Sequence, residues 1–478
     1  MIFGRQEKEA VMELKDRIRK YIDEHEQELI EDVKTLCRIN SVKGAYSVGK
    51  PYGEGPYNAL MAAMGICERY GFSTMNYDDY VIAADLNNGE KALDILAHMD
   101  VVAAGEGWTV TDPFDPIVKD GRIYGRGTSD DKGPAMAALY AMRAVKDLGI
   151  PVSKNCRLIL GSDEERGSSD LPHYYAVENE APMTFSPDSE FPVTNVEKGH
   201  LNLTVYAEID EEEAADHIVE IWGGDTTNIL PGKAYAIVKG LDDDLIRKEA
   251  EAVAKETGVS FRVSATSKGL RIDAEGKAAH AAHPEDGKNA MLALLKLINR
   301  LPLTACELTR LLKSLEGLFP YGDCYGKALG AELSDELSGP TTVSANILRV
   351  DGCSIKLDVD CRTAASSTEA NTIAPVLANI KKAGFECRYT AKAAHVVDGD
   401  SDFIKTLLNC YEDVTGLKGK LISTGGGTYV HDLKNGVAFG AVGESTDTNM
   451  HGADEFMPID ELKDAAVIYA LCISELCR

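Results

Sequence analysis

Residues able to do chemistry cluster at five places in the sequence. "ALDILAHMD" closes on His98 and Asp100. "GRGTSDDKGP" puts Asp130 and Asp131 in front of an apolar helical pattern. "CRLILGSDEERG" ends an apolar run with three acids, Asp163, Glu164 and Glu165. "FSPDSEFP" holds Asp188, and "TDTNMHGADE" holds His451. Each has an ordinary reading when taken singly: a histidine packed at a strand end, an aspartate capping a helix, an acid in a turn. Taken together, two imidazoles and three carboxylates, one of them shared, would complete a two-metal hydrolytic site. Mixed nitrogen and oxygen ligation suits zinc, and also manganese or cobalt. Side chains at i and i+2 of a strand share a face, so Asp100 is expected to orient the His98 ring. Glu164 then lies beside a ligand. A metal lowers the pKa of bound water from about 15.7 to about 7, and a nearby carboxylate takes that proton and passes it to a leaving amine. Asp163 reads as a solvated loop acid.

These residues need elements to carry them. The first ~70 residues show apolar spacing of three and four, a helical pattern. "YVIAADL" (80–86), "ALDILAH" (92–98), "CRLILG" (156–161) and "PMTFSPD" (182–188) read as strands, and so does "AFGAVG" later in the chain. Helical patterns fall at 133–149 and 170–178, in "DFIKTLLNCYEDVTG", and in the closing segment from Asp460. Alternating strands and helices predict an α/β domain with a mainly parallel sheet. In such a sheet His98, Asp130, Glu165 and Asp188 would all lie just past successive strands, at one edge.

Near residue 197 the pattern changes to the polar–apolar alternation of antiparallel strands, as in "GHLNLTVYAEI". Two comparable series of strands and helices follow. The expected organisation is a catalytic domain, 1–196 and 397–478, interrupted by an α+β lid domain, 197–396, made of two similar ferredoxin-like halves.

The 478-residue chain carries 77 acids against 50 bases, a net charge of −27. That argues against nucleic acid and anionic membrane surfaces as partners. No apolar run reaches the ~20 residues of a membrane span, and the charged start lacks the pattern of a signal peptide. Eleven cysteines without CxxC pairs read as reduced thiols, which points to the cytoplasm.

Seven segments carry a resemblance, in order from about residue 90 to 456: "AHMDVV…GW", "GRGTSDDKGP", "DEERG", "SPDSEFP", "NILPG", "GKAAHAAHPEDGKNA" and "STGGGTYV…MHGADE". The sequence resembles the co-catalytic zinc dipeptidase, aminoacylase and carnosinase family, and within it the bacterial PepV-type (Xaa-His) dipeptidases. The resemblance implies that Asp130 bridges two metals. His98 and Asp188 would complete one shell, and Glu165 and His451 the other. Glu164 would be the general base acting on a metal-bridging water, with Asp100 supporting His98. In the lid, His280 would stabilise the oxyanion, and Asn228 and Arg362 would hold the substrate. Gly425, Gly426 and Gly427 would offer backbone N–H groups to its C-terminal carboxylate. The family also implies a cis peptide bond at Asp130–Asp131. His283 and Arg166 receive no role. The enlarged lid resembles that of monomeric members.

The function implied is metal-dependent hydrolysis of dipeptides. The alternatives are an N-acyl-amino-acid amidohydrolase of the same family and a non-catalytic metal- or peptide-binding protein.

Overall fold

The computed structural model describes residues 5–210 and 216–478. The chain forms two compact units. The first contains the residues up to Asn195, then Val397–Ile422 and Gly427–Arg478; the second contains Val196–Val396 and Ser423–Gly426.

The first unit is built on a sheet whose centre is parallel. Its strands run in the order Ser73–Tyr77, Val81–Asp85, Asn155–Gly161, Lys91–His98, Met183–Ser186, Gly436–Ala438 and Val193–Glu197. The four from Asn155–Gly161 to Gly436–Ala438 are mutually parallel. Those on either side pair antiparallel, so the parallel arrangement is confined to the middle. Parallel strands covered on both faces read as unbroken apolar runs, and in Lys91–His98 every residue after Lys91 is buried. Helices Lys132–Asp147 and Ile459–Leu476 pack together and are buried along nearly their whole length. Lys132, fully buried at the start of its helix, donates to Leu36 O and Ile39 O at 3.0 Å each. It thereby adds a charged donor to one carbonyl in the last turn of helix Glu26–Cys37 and to another just beyond it.

The second unit is a single antiparallel sheet of eight strands. In order they are Ser260–Thr266, Gly269–Glu275, Lys233–Lys239, His217–Gly223, Thr342–Val350, Ser354–Thr363, Gly199–Glu208 and Glu386–Lys392. Each half is a hairpin, then a third strand, then a fourth. The halves are nested rather than consecutive. Gly199–Glu208, which opens the first series in the sequence, pairs with Ser354–Thr363 and Glu386–Lys392 and so belongs to the other half. Pairing across some 150 residues leaves no trace in local periodicity, which is why the sequence reads as two series in tandem. Strands His217–Gly223 and Lys233–Lys239 and helix Glu307–Leu318 also went unseen in the sequence pattern. Helices Asp243–Thr257, Ala290–Ile298, Glu307–Leu318 and Ala374–Lys382 supply the apolar side chains that share a core with the sheet.

One buried acid of the first unit makes a test of its electrostatics. Asp94, within Lys91–His98, accepts from Ala181 N at 3.2 Å and lies 3.5 Å from Lys91 Nζ. Burial nonetheless pushes its carboxyl up to about 6. A raised carboxyl pKa in the folded state means that the folded chain holds the proton longer. Stability is then greatest below the unfolded value of about 4 and declines as pH rises towards 6. Asp94→Asn removes this slope. Its stability relative to the parent should rise by up to about 3 kcal/mol between pH 4 and pH 7, read from paired urea titrations; a constant difference would refute the assignment.

Candidate metal centre

Three neighbouring parallel strands deliver most of the site at their carboxyl ends, where folds of this class place their ligands. His98 is the last residue of Lys91–His98. Glu164 and Glu165 lie in the short 3-10 turn Glu164–Arg166 that follows Asn155–Gly161. Asp188 follows Met183–Ser186. Asp130 arrives by another route. The strand before it, Arg122–Tyr124, belongs to a separate small sheet with Ile117–Lys119 and Phe456–Pro458. Asp130 therefore does not lie past a strand of the main sheet, contrary to the expectation from sequence. It enters from the loop before helix Lys132–Asp147, and its peptide bond to Asp131 is cis.

Asp130 stands between the two histidines. Its Oδ1 is 2.9 Å from His98 Nε2 and its Oδ2 is 2.8 Å from His451 Nε2. On the outer sides, Asp188 Oδ2 lies 3.6 Å from His98 Nε2, and Glu165 Oε1 lies 3.4 Å from His451 Nε2. Among the described residues the ligand-capable atoms form two close groups, His98 with Glu164 and Asp188, and Asp130 with Glu165 and His451.

The charges show what this arrangement favours. Burial, then the charges of Asp188, Glu165 and Asp130, push the Glu164 carboxyl well up. Burial and the Asp130 charge push up both Glu165 and Asp188. Asp131 is raised strongly by burial and by Asp188. Hydrogen bonds to Asp130 and Glu165 push His451 up to about 11. Burial works against a charged His98, yet its bonds to Asp100, Asp130 and Asp188 outweigh burial and raise it well above the usual value. In the same way, the two imidazoles overcome burial to hold Asp130 low. Acids this close, away from water, favour added positive charge. Glu165 Oε1 is buried, with the His451 ring 3.4 Å away and no nearer donor among the described residues. An imidazole and carboxylate donor set of this kind fits two divalent ions.

The turn that carries the glutamates is held by other acids. Asp100 accepts the backbone N–H groups of Glu164 and Glu165, at 3.2 Å each. The ring nitrogen Nδ1 of His98 faces the Asp100 backbone carbonyl at 3.0 Å, with the carboxylate farther away at 3.5 Å. The strand ends at His98, so the i, i+2 argument does not extend to Asp100. Its side chain chiefly fixes the glutamate turn. Asp163 is fully buried, which overturns its reading as a solvated acid. It accepts from Lys43 Nζ at 2.5 Å and from Ser169 Oγ at 2.6 Å. Asp170, unnoticed in the sequence, accepts Ser162 N at 2.6 Å, Asp163 N at 3.1 Å and the Tyr429 hydroxyl at 2.5 Å. Arg126 and Glu455 were also missed. The signal was present as two charges, one inside each of the motifs "GRG" and "HGADE".

The remaining candidates lie elsewhere. His280, Asn228, Arg362, Gly425 and Gly426 belong to the second unit, and Gly427 to the first. His280 pairs with Ile229 across a two-stranded ladder, and Ala281 N donates to Asn228 O at 2.9 Å. Asn228 and His280 are both exposed. Arg362 is buried, and its guanidinium is largely committed. It makes two bonds to Asp360, at 2.7 and 2.8 Å, and one to Gly425 O at 2.6 Å, with His200 Nε2 at 3.2 Å. Gly426 N donates to Thr424 Oγ1 at 3.0 Å, so that N–H is not offered outward as expected.

A sheet with a parallel centre and a two-ion ligand cluster at its carboxyl edge defines a metallohydrolase. The comparisons specify which. Residues 95–475 match the model of peptidase family M20/M25/M40, and the chain belongs to that family. It is 33% identical over 458 residues to YtjP of Bacillus subtilis, covering 95% of this chain and 98% of the relative. It is 31% identical over 458 residues to a beta-Ala-Xaa dipeptidase of Lactobacillus delbrueckii subsp. lactis, covering 94% and 96%. Human carnosine dipeptidase 1 has a similar fold, with a TM-score of 0.60, 15% identity and coverage of 97% and 99%. The chain is therefore a peptidase of the metal-dependent kind.

Chelation offers a direct check on the centre. Treatment with EDTA should lower the melting temperature, and added zinc or manganese should restore it in proportion to log concentration. An ion at a hundred times its dissociation constant stabilises by about 2.7 kcal/mol. A melting temperature indifferent to both would rule out a cation centre.

Proposed function

We propose that this peptidase hydrolyses dipeptides, with Glu164 moving the proton and His98, Asp130, Glu165, Asp188 and His451 holding two divalent ions. Zinc is the first choice, with manganese or cobalt as alternatives. The observation that carries the reading is Asp130, which turns one oxygen to each histidine while a further carboxylate stands beyond each ring. Two ions held there would acidify a bound water and polarise the scissile carbonyl.

The chain's own groups do the rest. Glu164 takes the water proton at its carboxylate and delivers it to the departing nitrogen. Asp100, by holding the Glu164 and Glu165 backbone, keeps base and ligand in register. His280 is proposed as the donor to the oxyanion, with Asn228 beside it on the substrate. Arg362 is proposed to act on the substrate end by holding the Gly425 segment in place. Dipeptides as the substrate class are supported by the names of the relatives. A cytoplasmic, monomeric protein is part of the proposal. It is supported by eleven free thiols, seven of them buried, and by the size of the second unit. Among the described residues no helix is long and apolar enough to cross a membrane.

One observation favours a second role for Glu164, as a ligand. A carboxylate oxygen of Glu164 lies within 4.8 Å of ligand atoms of His98 and Asp188. Glu164→Gln separates the two. If Glu164 is the base, kcat should fall by about 10²–10⁴ while both ions remain bound; loss of one ion would make it a ligand instead. Substrate class is decided by a panel of dipeptides, β-Ala-His and N-acetyl amino acids with each metal in turn. Turnover of dipeptides is expected, and turnover of the acetylated compounds alone would sink the dipeptidase reading.

A further inference from the structure

Asp130 and His451 must meet within 3 Å although 320 residues of chain separate them, and neither is carried by the main sheet. One buried ion pair joins the two loops that bear them. Arg126 Nη1 donates to Glu455 Oε2 at 2.5 Å, and both side chains are essentially inaccessible to solvent. The carboxylate grips the Asp130 side. Glu455 Oε1 accepts Gly127 N and Ser129 N at 3.0 Å each, and Ser129 Oγ at 3.1 Å. The guanidinium grips the His451 side. Arg126 Nη2 reaches His451 O at 3.1 Å and Gly452 O at 3.0 Å, and it also lies near Ala103 O and Ala104 O.

The His451 loop needs such a hold. Asn449, His451 and Asp454 all have left-handed backbones, with φ of 55°, 63° and 56°. Asn, His and Asp adopt that conformation more readily than other side chains, but three such residues within six positions make the loop costly to hold. A buried ion pair adds little net stability over apolar side chains of the same size. What it supplies is direction, because charge-assisted bonds are short and strongly oriented.

We infer that Arg126 and Glu455 are positioning residues, a clamp that sets the Asp130–His451 spacing and hence the affinity of the ion held by Asp130, Glu165 and His451. The inference rests on the two-ion reading above. Asp130 would face both ions, whereas the closest backbone contacts of Arg126 are to the His451 loop, with Ala103 O and Ala104 O farther off. A change at Arg126 should therefore act on one ion more than on the other.

The test is cobalt(II) titration of the full chain, followed by absorption and by competition with a chelating dye, beside circular dichroism and thermal melting. The parent should take up two ions, and His451→Ala marks which one depends on that histidine. Arg126→Lys keeps the charge but cannot reach Glu455 and two carbonyls at once. It should weaken the same ion by about 10–100-fold and leave the other within about threefold. Glu455→Gln should weaken both, since it releases the Asp130 side as well. Should the Arg126 or Glu455 variants not fold, Ser129→Ala removes a single contact to Glu455 and should weaken cobalt in the same direction by a smaller factor. Folded variants that bind both ions as the parent does would overturn the clamp. So would an equal weakening of both ions by Arg126→Lys that merely follows its loss of melting temperature. A parent that binds no second ion would overturn the two-ion reading and this inference with it.

Discussion

The protein is organised around a repulsion. Asp130, Glu164, Glu165 and Asp188 are drawn together with two histidines at the edge of a sheet, where each carboxylate raises the cost of ionising the next. Such a cluster is unfavourable on its own and becomes favourable when cations share it. Asp130 is the pivot, because both imidazoles bond to its two oxygens. Every loop near the centre has to be held against this repulsion, and that demand explains much of the surrounding structure.

The holding is done largely by a second set of acids. Asp100 collects the N–H groups of the glutamate turn. Asp163 ties that turn to Lys43 and Ser169, and Asp170 ties its start to Tyr429. Glu455 collects the N–H groups ahead of Asp130. In each case a buried carboxylate faces backbone or side-chain donors, the arrangement that makes burial of an acid tolerable. The buried acids around the site thus form two sets: acids that face each other and acids that face backbone. Only the first set has the chemistry of a metal site.

The second unit follows a different logic. Its sheet is antiparallel and continuous, with one half inserted into the other. Within it Asn228 and His280 meet through a short ladder and remain exposed, while Arg362 is buried and bound to Asp360 and Gly425. The first two side chains face outward, whereas the guanidinium is committed to its own chain and ties Asp360 to the Gly425 segment. That difference separates residues which the motifs alone present as equivalent.

Local patterns determined a good deal. The apolar runs of Lys91–His98 and Asn155–Gly161, the helices Lys132–Asp147 and Ile459–Leu476, and the gathering of His98, Asp130, Glu165, Asp188 and His451, though not the route by which Asp130 arrives, were legible in the sequence. Burial imposes a short period on elements, and chemistry restricts residue types. The motif series also carried the family, which the match over residues 95–475 bears out. What only tertiary structure decided depends on contacts between distant segments. These include the nesting of the two halves of the second unit, the burial of Asp163, the turn-holding role of Asp100, and the meeting of Arg126 with Glu455. The physical reason is common to all four. Periodicity records which face of an element is buried, but not which distant donor an acid will find there. Asp163 and Glu164 are neighbours in the chain. One is bound to Lys43 and the other stands beside His98 and Asp188, and only the folded chain tells them apart.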